Sequence, residues 1–205
     1  SANAPQASVC KRQVGTLSLS FELRCHSSLN FCMLHNTPEL FTAQLQEGHY
    51  NELRVALYFM LKGAHVRIGF SGQRYDLHVL PAGGAGFGVE VKWDKRAGET
   101  GNLYFEVENT RRREASGIAG TNADYWCHVL GNGDEALLAR TSALRSVLSK
   151  GNFRSVQTRA QDSNSRGVLV PRSHLVALPE IEWISLPTVD GFFGELFRVG
   201  RVEQK

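Results

Sequence analysis

The chain of 205 residues is 42% hydrophobic and 21% charged, with a net charge of +3, a balance that suits a globular protein with one sizeable core. No apolar run approaches the roughly 20 residues with which a helix crosses a bilayer, and no charged-then-apolar block suggests a secretory leader. Cys10, Cys25, Cys32 and Cys127 form no C-x-x-C pair, so thiolate-metal spacing is absent and reduced thiols are expected.

Residues 1–36 begin polar and then alternate, with Leu17, Leu19, Phe21 and Leu23 two apart. A strand over 15–24 and a second over 29–34 are expected, as an N-terminal appendage or hairpin before a domain spanning 37–205. Thr37-Pro38-Glu39 reads as a helix start: a capping hydroxyl, proline in the first turn and an acid beside it. The helix, or two in tandem broken near Gly48, runs to Lys62-Gly63 and buries Leu53, Ala56, Leu57, Met60 and Leu61. Strands follow over 66–70, 75–80, 88–93, 102–108 and 125–130. Gly83-Gly84-Ala85-Gly86 forms the turn between the second and third. A helical turn is expected over 111–116 and an amphipathic helix over 134–150, with Leu137, Leu138, Leu144, Val147 and Leu148 apolar. The stretch 151–172 is polar and arginine-rich and reads as a loop. The tail from Leu175, with Trp183, Phe192, Phe193 and Phe197, packs back on the domain. The sum is an α/β or α+β fold: a mixed sheet containing an antiparallel meander, flanked by helices.

The charges on the central strands carry the chemistry. In Val89-Glu90-Val91-Lys92-Trp93, a strand places Glu90 and Lys92 side by side on one face and the apolar residues on the other. Asp76 lies on the preceding strand, and hairpin pairing puts it about 4.8 Å of backbone spacing from Glu90. Asp76 and Glu90 can share a hard cation such as Mg²⁺ or Mn²⁺, with the Val91 carbonyl nearby. Glu52, on the preceding helix, reaches the same ion directly or through a water. Lys92 holds or activates a water, or offsets charge on a phosphorane-like transition state. Glu106 and His78 stand as outer partners of that site. A second charge pattern lies further on: Arg140, Arg145, Lys150, Arg154, Arg159, Arg166 and Arg172 face only Asp162 over 136–175. With Arg111 and Arg112, this excess suits the phosphates of a polyanion. Asn109, Thr121, Asn122 and Tyr125 are further candidates for phosphate contacts.

Asn51-Glu52-Leu53, Arg74-Tyr75-Asp76 and Glu90-Val91-Lys92 stand in an order that resembles the PD-(D/E)XK nuclease superfamily. The stretch 47–92 is similar to archaeal Holliday junction resolvases. The stretch 105–130, through Ser116-Gly117-Ile118 and Ala123-Asp124-Tyr125-Trp126, is similar to uncharacterised phage members of that superfamily. No proline precedes Asp76, a departure from the family pattern. The resemblance implies a restriction-endonuclease-like core and a nuclease domain over 37–205. It implies Glu52, Asp76 and Glu90 as ligands of one or two Mg²⁺ or Mn²⁺ ions, and Lys92 as the residue that positions or activates the attacking water. It further implies an endonuclease acting on DNA, branched or phage-related DNA included, a homodimer, and a cytoplasmic or host-cytoplasmic location. Two competing readings keep the same residues: a nucleic-acid-binding module of this fold without catalysis, and an interaction protein whose acids are surface charge.

Overall fold

The computed structural model describes residues 38–69, 75–157, 164–189 and 191, with side chains from Leu45 onward, all within one compact unit, His35–Lys205. The strands expected over 15–24 and 29–34, the caps at Thr37, and Phe192, Phe193 and Phe197 lie outside the described residues.

Helix α1 (Pro38–Leu61) runs unbroken through Gly48. It stops because Gly63 adopts φ 81°, where a side chain would be strained. The Ala64 amide then bonds the Phe59 carbonyl at 3.1 Å and the Gly63 amide bonds Met60 at 2.9 Å, the paired bonds that close a helix on a left-handed glycine. Strands β1 (His65–Ile68), β2 (Leu77–Leu80) and β3 (Phe87–Asp94) form the expected meander, each antiparallel to the next. From β3 the chain crosses through α2 (Ala97–Thr100), β4 (Asn102–Asn109), β5 (Glu114–Ala115) and α3 (Gly117–Gly120) to β6 (Tyr125–Leu130), which pairs parallel with β3. Then come β7 (Glu135–Arg140), α4 (Thr141–Lys150), β8 (Arg154–Gln157), β9 (Ser165–Pro171), α5 (Arg172–Val176) and β10 (Ile181–Ser185).

Two sheets result. The larger has the order β1-β2-β3-β6-β7-β10 and is mixed, with β3–β6 its parallel pair; the smaller, β5-β4-β9-β8, is antiparallel. The crossover between β3 and β6 therefore carries the central strand of the second sheet. Val89, Val91, Cys127, Val129 and Leu138 pack on Val55, Ala56 and Phe59 of α1. Trp126, Leu137 and Ala139, on the other face, pack on Leu103, Phe105 and Val170 of the second sheet, with Leu144 and Leu175. The architecture is α+β, with the larger sheet between α1 and the smaller sheet.

Three local expectations are corrected. The helix expected over 134–150 begins only at Thr141, because residues 135–140 form β7. β7 is bonded to β6 and β10 on its two sides, and Ala136 to Ala139 are all buried. A strand covered on both faces loses the alternation that marks strands and mimics a helical stripe. The helical turn over 111–116 is a tight turn, with Arg113 at φ 56°, leading into β5. The loop over 151–172 contains β8 and β9, which pair with each other, and β9 pairs in turn with β4; arginines on their exposed positions mask Val168 and Val170, which complete the second core.

Arg54 anchors α1 in place. Its side chain is 3% exposed, and its guanidinium donates to the Pro187 carbonyl (2.8 Å), the Leu186 carbonyl (3.2 Å) and Asp134 Oδ1 (3.2 Å). Arg54→Ala is expected to cost about 2–4 kcal/mol in denaturant unfolding, since it strips donors from buried carbonyls. Asp134→Ala, at the exposed end of the same contact, is expected to cost less than about 1 kcal/mol. Equal losses in the two variants would show that the ion pair, rather than the carbonyl bonds, holds the helix.

Candidate functional site

The β2–β3 hairpin sets the first part of the site. Leu77 pairs with Val89, so Asp76, one residue before β2, stands opposite Glu90. The Asp76 amide donates to the Val89 carbonyl (3.1 Å), and its carboxylate Oδ2 accepts the Val91 amide (2.7 Å). Leu77 and Val79, Val89 and Val91 turn toward α1; alternation then sends Asp76, Glu90 and Lys92 to the opposite face. Glu90 is held by two partners: Oε1 lies 2.6 Å from Lys92 Nζ, and Oε2 accepts the Thr121 hydroxyl at 3.1 Å. Glu52, on α1, has a side chain 16% exposed and bonds His49 Nδ1 at 3.0 Å.

Asp76 and Lys92 both feel the charges around them. Burial pushes the Asp76 carboxyl up to about 6 from 3.8; the charges of Glu90 and Glu52 push the same way, while Lys92 and the Val91 amide oppose them. For Lys92, burial disfavours the ammonium, but Glu90, Asp76 and Glu52 outweigh it, so its pKa is raised and it stays charged. Side chains from a helix, the lead-in to β2 and β3 thus share one electrostatic neighbourhood.

Glu52, Val91 and Lys92 line a cleft of about 830 Å³. Tyr104 and Glu106 of β4 and Trp126 and His128 of β6 line it too. Glu106 accepts the Ser116 hydroxyl at 2.6 Å. His78 stands elsewhere: its ring stacks on Tyr75 at 6.1 Å and covers Gly86, where a Cβ would come within 2.8 Å of it. Among the described residues, no three carboxylate, imidazole or thiol groups are gathered closely enough to grip a metal ion as they stand. Glu90 is turned to Lys92 and Thr121, and Glu52 to His49.

The basic candidates scatter. Arg111 and Arg112 lie in the exposed turn after β4, and Arg112 pairs with Glu114 at 3.3 Å. Arg140 lies over the Tyr125 ring at 5.1 Å. Lys150 ends α4, and Arg154 is exposed on β8. Arg166 pairs with Glu108 across β4–β9, Arg172 pairs with Glu135 at 2.6 Å, and Arg159 lies outside the described residues. Arg145 donates to three backbone carbonyls, of Ile118 (2.7 Å), Ala119 (3.3 Å) and Thr121 (2.5 Å).

Asp94 is a residue that sequence reasoning passed over. One oxygen accepts the amides of Arg96 and Ala97, each at 3.0 Å, and the other accepts that of Tyr104 at 2.9 Å. Burial alone would raise its pKa, but His128 beside it and these amides more than offset that and hold it below the usual carboxylate range. Its signal was present in the sequence: an aspartate at a strand end just before a short helix is a capping residue.

No protein-family model matches the chain, and no curated protein does. Among solved structures, that of the bacterial homing endonuclease I-Ssp6803I is similar, with a TM-score of 0.44 at 14% identity over 80% of this chain and 99% of that one.

The Asp76 shift has a definite sign in folding. Its pKa in the folded chain, about 6, exceeds the ordinary 3.8, so the native state binds the proton more tightly than the unfolded state does. Stability therefore falls as pH rises from about 4 to about 6 and levels off above. Asp76→Asn keeps an oxygen for the Val91 amide and removes the charge. In metal-free buffer at pH 7.5 it is expected to be about 1–3 kcal/mol more stable than wild type, the gap closing toward pH 4. A gap that is unchanged or wider at pH 4, measured by urea unfolding, would contradict this assignment.

Proposed function

We propose that the protein is a metal-dependent nuclease of the PD-(D/E)XK type that hydrolyses phosphodiester bonds within DNA. The observation that carries this reading is the placement of Asp76 opposite Glu90 on paired strands, with Lys92 bound to Glu90, and of Glu52 on α1 near enough for its charge to act on Asp76 and Lys92. Three carboxylates against one ammonium leave an excess that one divalent cation would neutralise. The donors are oxygens, the ligand type that Mg²⁺ and Mn²⁺ select. Glu52, Asp76 and Glu90, with the Val91 carbonyl, would hold the ion, and Glu52 and Glu90 would turn from His49 and Lys92 to do so. When bound, the ion supplies a water of lowered pKa and screens the phosphate.

The chain's own residues do the rest. Lys92, kept as an ammonium by its acidic neighbours, donates hydrogen bonds; it orients a water and meets developing negative charge on the phosphate rather than taking a proton. Asp76, tied to the Val91 amide, keeps β2 and β3 in step at the reacting centre. Basic side chains at Arg111, Arg140, Lys150 and Arg154 provide phosphate contacts without sequence readout. A homodimer remains part of the proposal by analogy with resolvases.

Plasmid nicking with Mg²⁺ or Mn²⁺, against Ca²⁺ and chelator, tests the reading. Wild type is expected to nick with Mg²⁺ or Mn²⁺ only. Asp76→Ala and Lys92→Ala are expected to lose about 100-fold or more in rate. Because the ion must displace the Asp76 proton, apparent metal affinity is expected to fall about tenfold per pH unit below about 6. Cleavage that survives in both variants sinks the mechanism. DNA binding without cleavage by wild type in any metal would favour the non-catalytic module.

A further inference from the structure

Within the nuclease reading, on which this rests, we infer that Arg145 and Thr121 are positioning residues for Glu90, and that Arg145 serves the site through the protein backbone rather than as a phosphate contact.

The inference starts from the shortness of α3. A four-residue helix leaves its last carbonyls without partners in the helix. Arg145, projecting from α4, supplies donors: Nε to the Ile118 carbonyl, Nη2 to the carbonyls of Ala119 and Thr121. A planar guanidinium can serve several acceptors from one place, whereas an ammonium has no such fixed fork. The backbone at Thr121 is thereby fixed. The Thr121 hydroxyl oxygen accepts the Ala123 amide at 3.1 Å, and the hydroxyl donates to Glu90 Oε2 at 3.1 Å. Lys92 holds the other Glu90 oxygen at 2.6 Å. One oxygen of a proposed metal ligand is thus held by a loop that Arg145 fixes, while the other, bound to Lys92, is the one that would turn to the ion. Partners of this kind set the orientation of a ligand. Composition alone points Arg145 at DNA, and its side chain does reach solvent; its guanidinium nonetheless donates to the carbonyls of this backbone segment.

The test uses the full chain as wild type, Arg145→Ala, Arg145→Lys, Thr121→Val and Thr121→Ser. Two measurements are made on each: Mn²⁺ binding by calorimetry, with the Mn²⁺ half-saturation of plasmid nicking, and duplex DNA affinity in Ca²⁺ across a salt series. Thr121→Val and Arg145→Ala are expected to weaken Mn²⁺ about tenfold or more. Thr121→Ser, which keeps the hydroxyl, should stay within about threefold of wild type, while Arg145→Lys should fall with Arg145→Ala. DNA affinity and its salt slope should hold. Unchanged Mn²⁺ dependence, with a salt slope reduced by about one in Arg145→Ala, would make Arg145 a phosphate contact and overturn the inference. So would a Thr121→Ser variant no better than Thr121→Val. Wild type that neither binds Mn²⁺ nor nicks DNA sinks the nuclease reading instead. The coupling is then read from melting temperatures of Thr121→Val, Glu90→Gln and the double variant. A double loss smaller than the sum of the single losses sustains the positioning link, and additive losses remove it.

Discussion

The Val91 amide hydrogen bond to the Asp76 carboxylate is the constraint on which the site depends. It joins the segment leading into β2 to the middle of β3 where the regular ladder between them has ended at the Leu77–Val89 pair. Without that bond, a carboxylate whose burial already opposes its charge would have less reason to stay beside Glu90. Electrostatics alone would separate the acids: Glu90 and Glu52 both push the Asp76 carboxyl toward its neutral form. Lys92 counters them from between. The balance is incomplete, and the raised pKa of Asp76 measures what is left uncompensated.

The scaffold explains how such a group can persist. α1 brings Glu52 from one side of the larger sheet, and its angle is fixed by Arg54 reaching the chain beyond β10. Tyr58 adds a second tie, donating to Glu182 of β10 at 3.3 Å; burial and that carboxylate push the phenol up to about 12. On the other side, Asp94 closes β3 by capping α2 and bonding the Tyr104 amide, so the end of the strand bearing Glu90 and Lys92 is stitched to the second sheet. The cleft lies between these fixed parts, and its charged end belongs to rigid elements rather than to loop tips.

What the sequence disclosed depended on whether each signal was local. The meander was legible because alternation survives where one strand face is buried: Leu77, Val79, Val89 and Val91 go inward and Asp76, Glu90 and Lys92 go the other way. β7 was not legible because its two faces are covered by distant parts of the chain, Ala136 and Leu138 in the core beneath α1 and Leu137 and Ala139 in the core of the second sheet, and the sequence of Ala136–Ala139 carries no trace of them. The arginine-rich stretch misled for a related reason. Charge counted along the chain measures composition, whereas the fate of Arg145, Arg166 and Arg172 is set by carbonyls and carboxylates far away in sequence. Glu52, Asp76, Glu90 and Lys92 could be listed from order alone; Thr121 and Asp94 could not be tied to them without knowing that the crossover from β3 to β6 returns beside its own starting strand.

The same distribution bears on how a polyanion could approach. Glu47, Glu52, Asp94 and Glu106 line the cleft, Asp76 and Glu90 add their charge beside Lys92, and several arginines that composition would enlist to offset these acids are paired within the protein. Lys92 is itself bound to Glu90, and Lys95, at the mouth of the cleft, is paired with Glu47 and lies 4.3 Å over the Trp93 ring. A phosphate would meet a site whose cations already serve acids. On the proposed reading, Glu52, Asp76 and Glu90 would hold a divalent ion whose charge would offset theirs, and the Lys92 ammonium, released by Glu90, would be available to a phosphate. On the same nuclease reading, the ion would serve the chemistry at the charged groups, while affinity for the rest of a duplex would rest on basic side chains elsewhere on the surface.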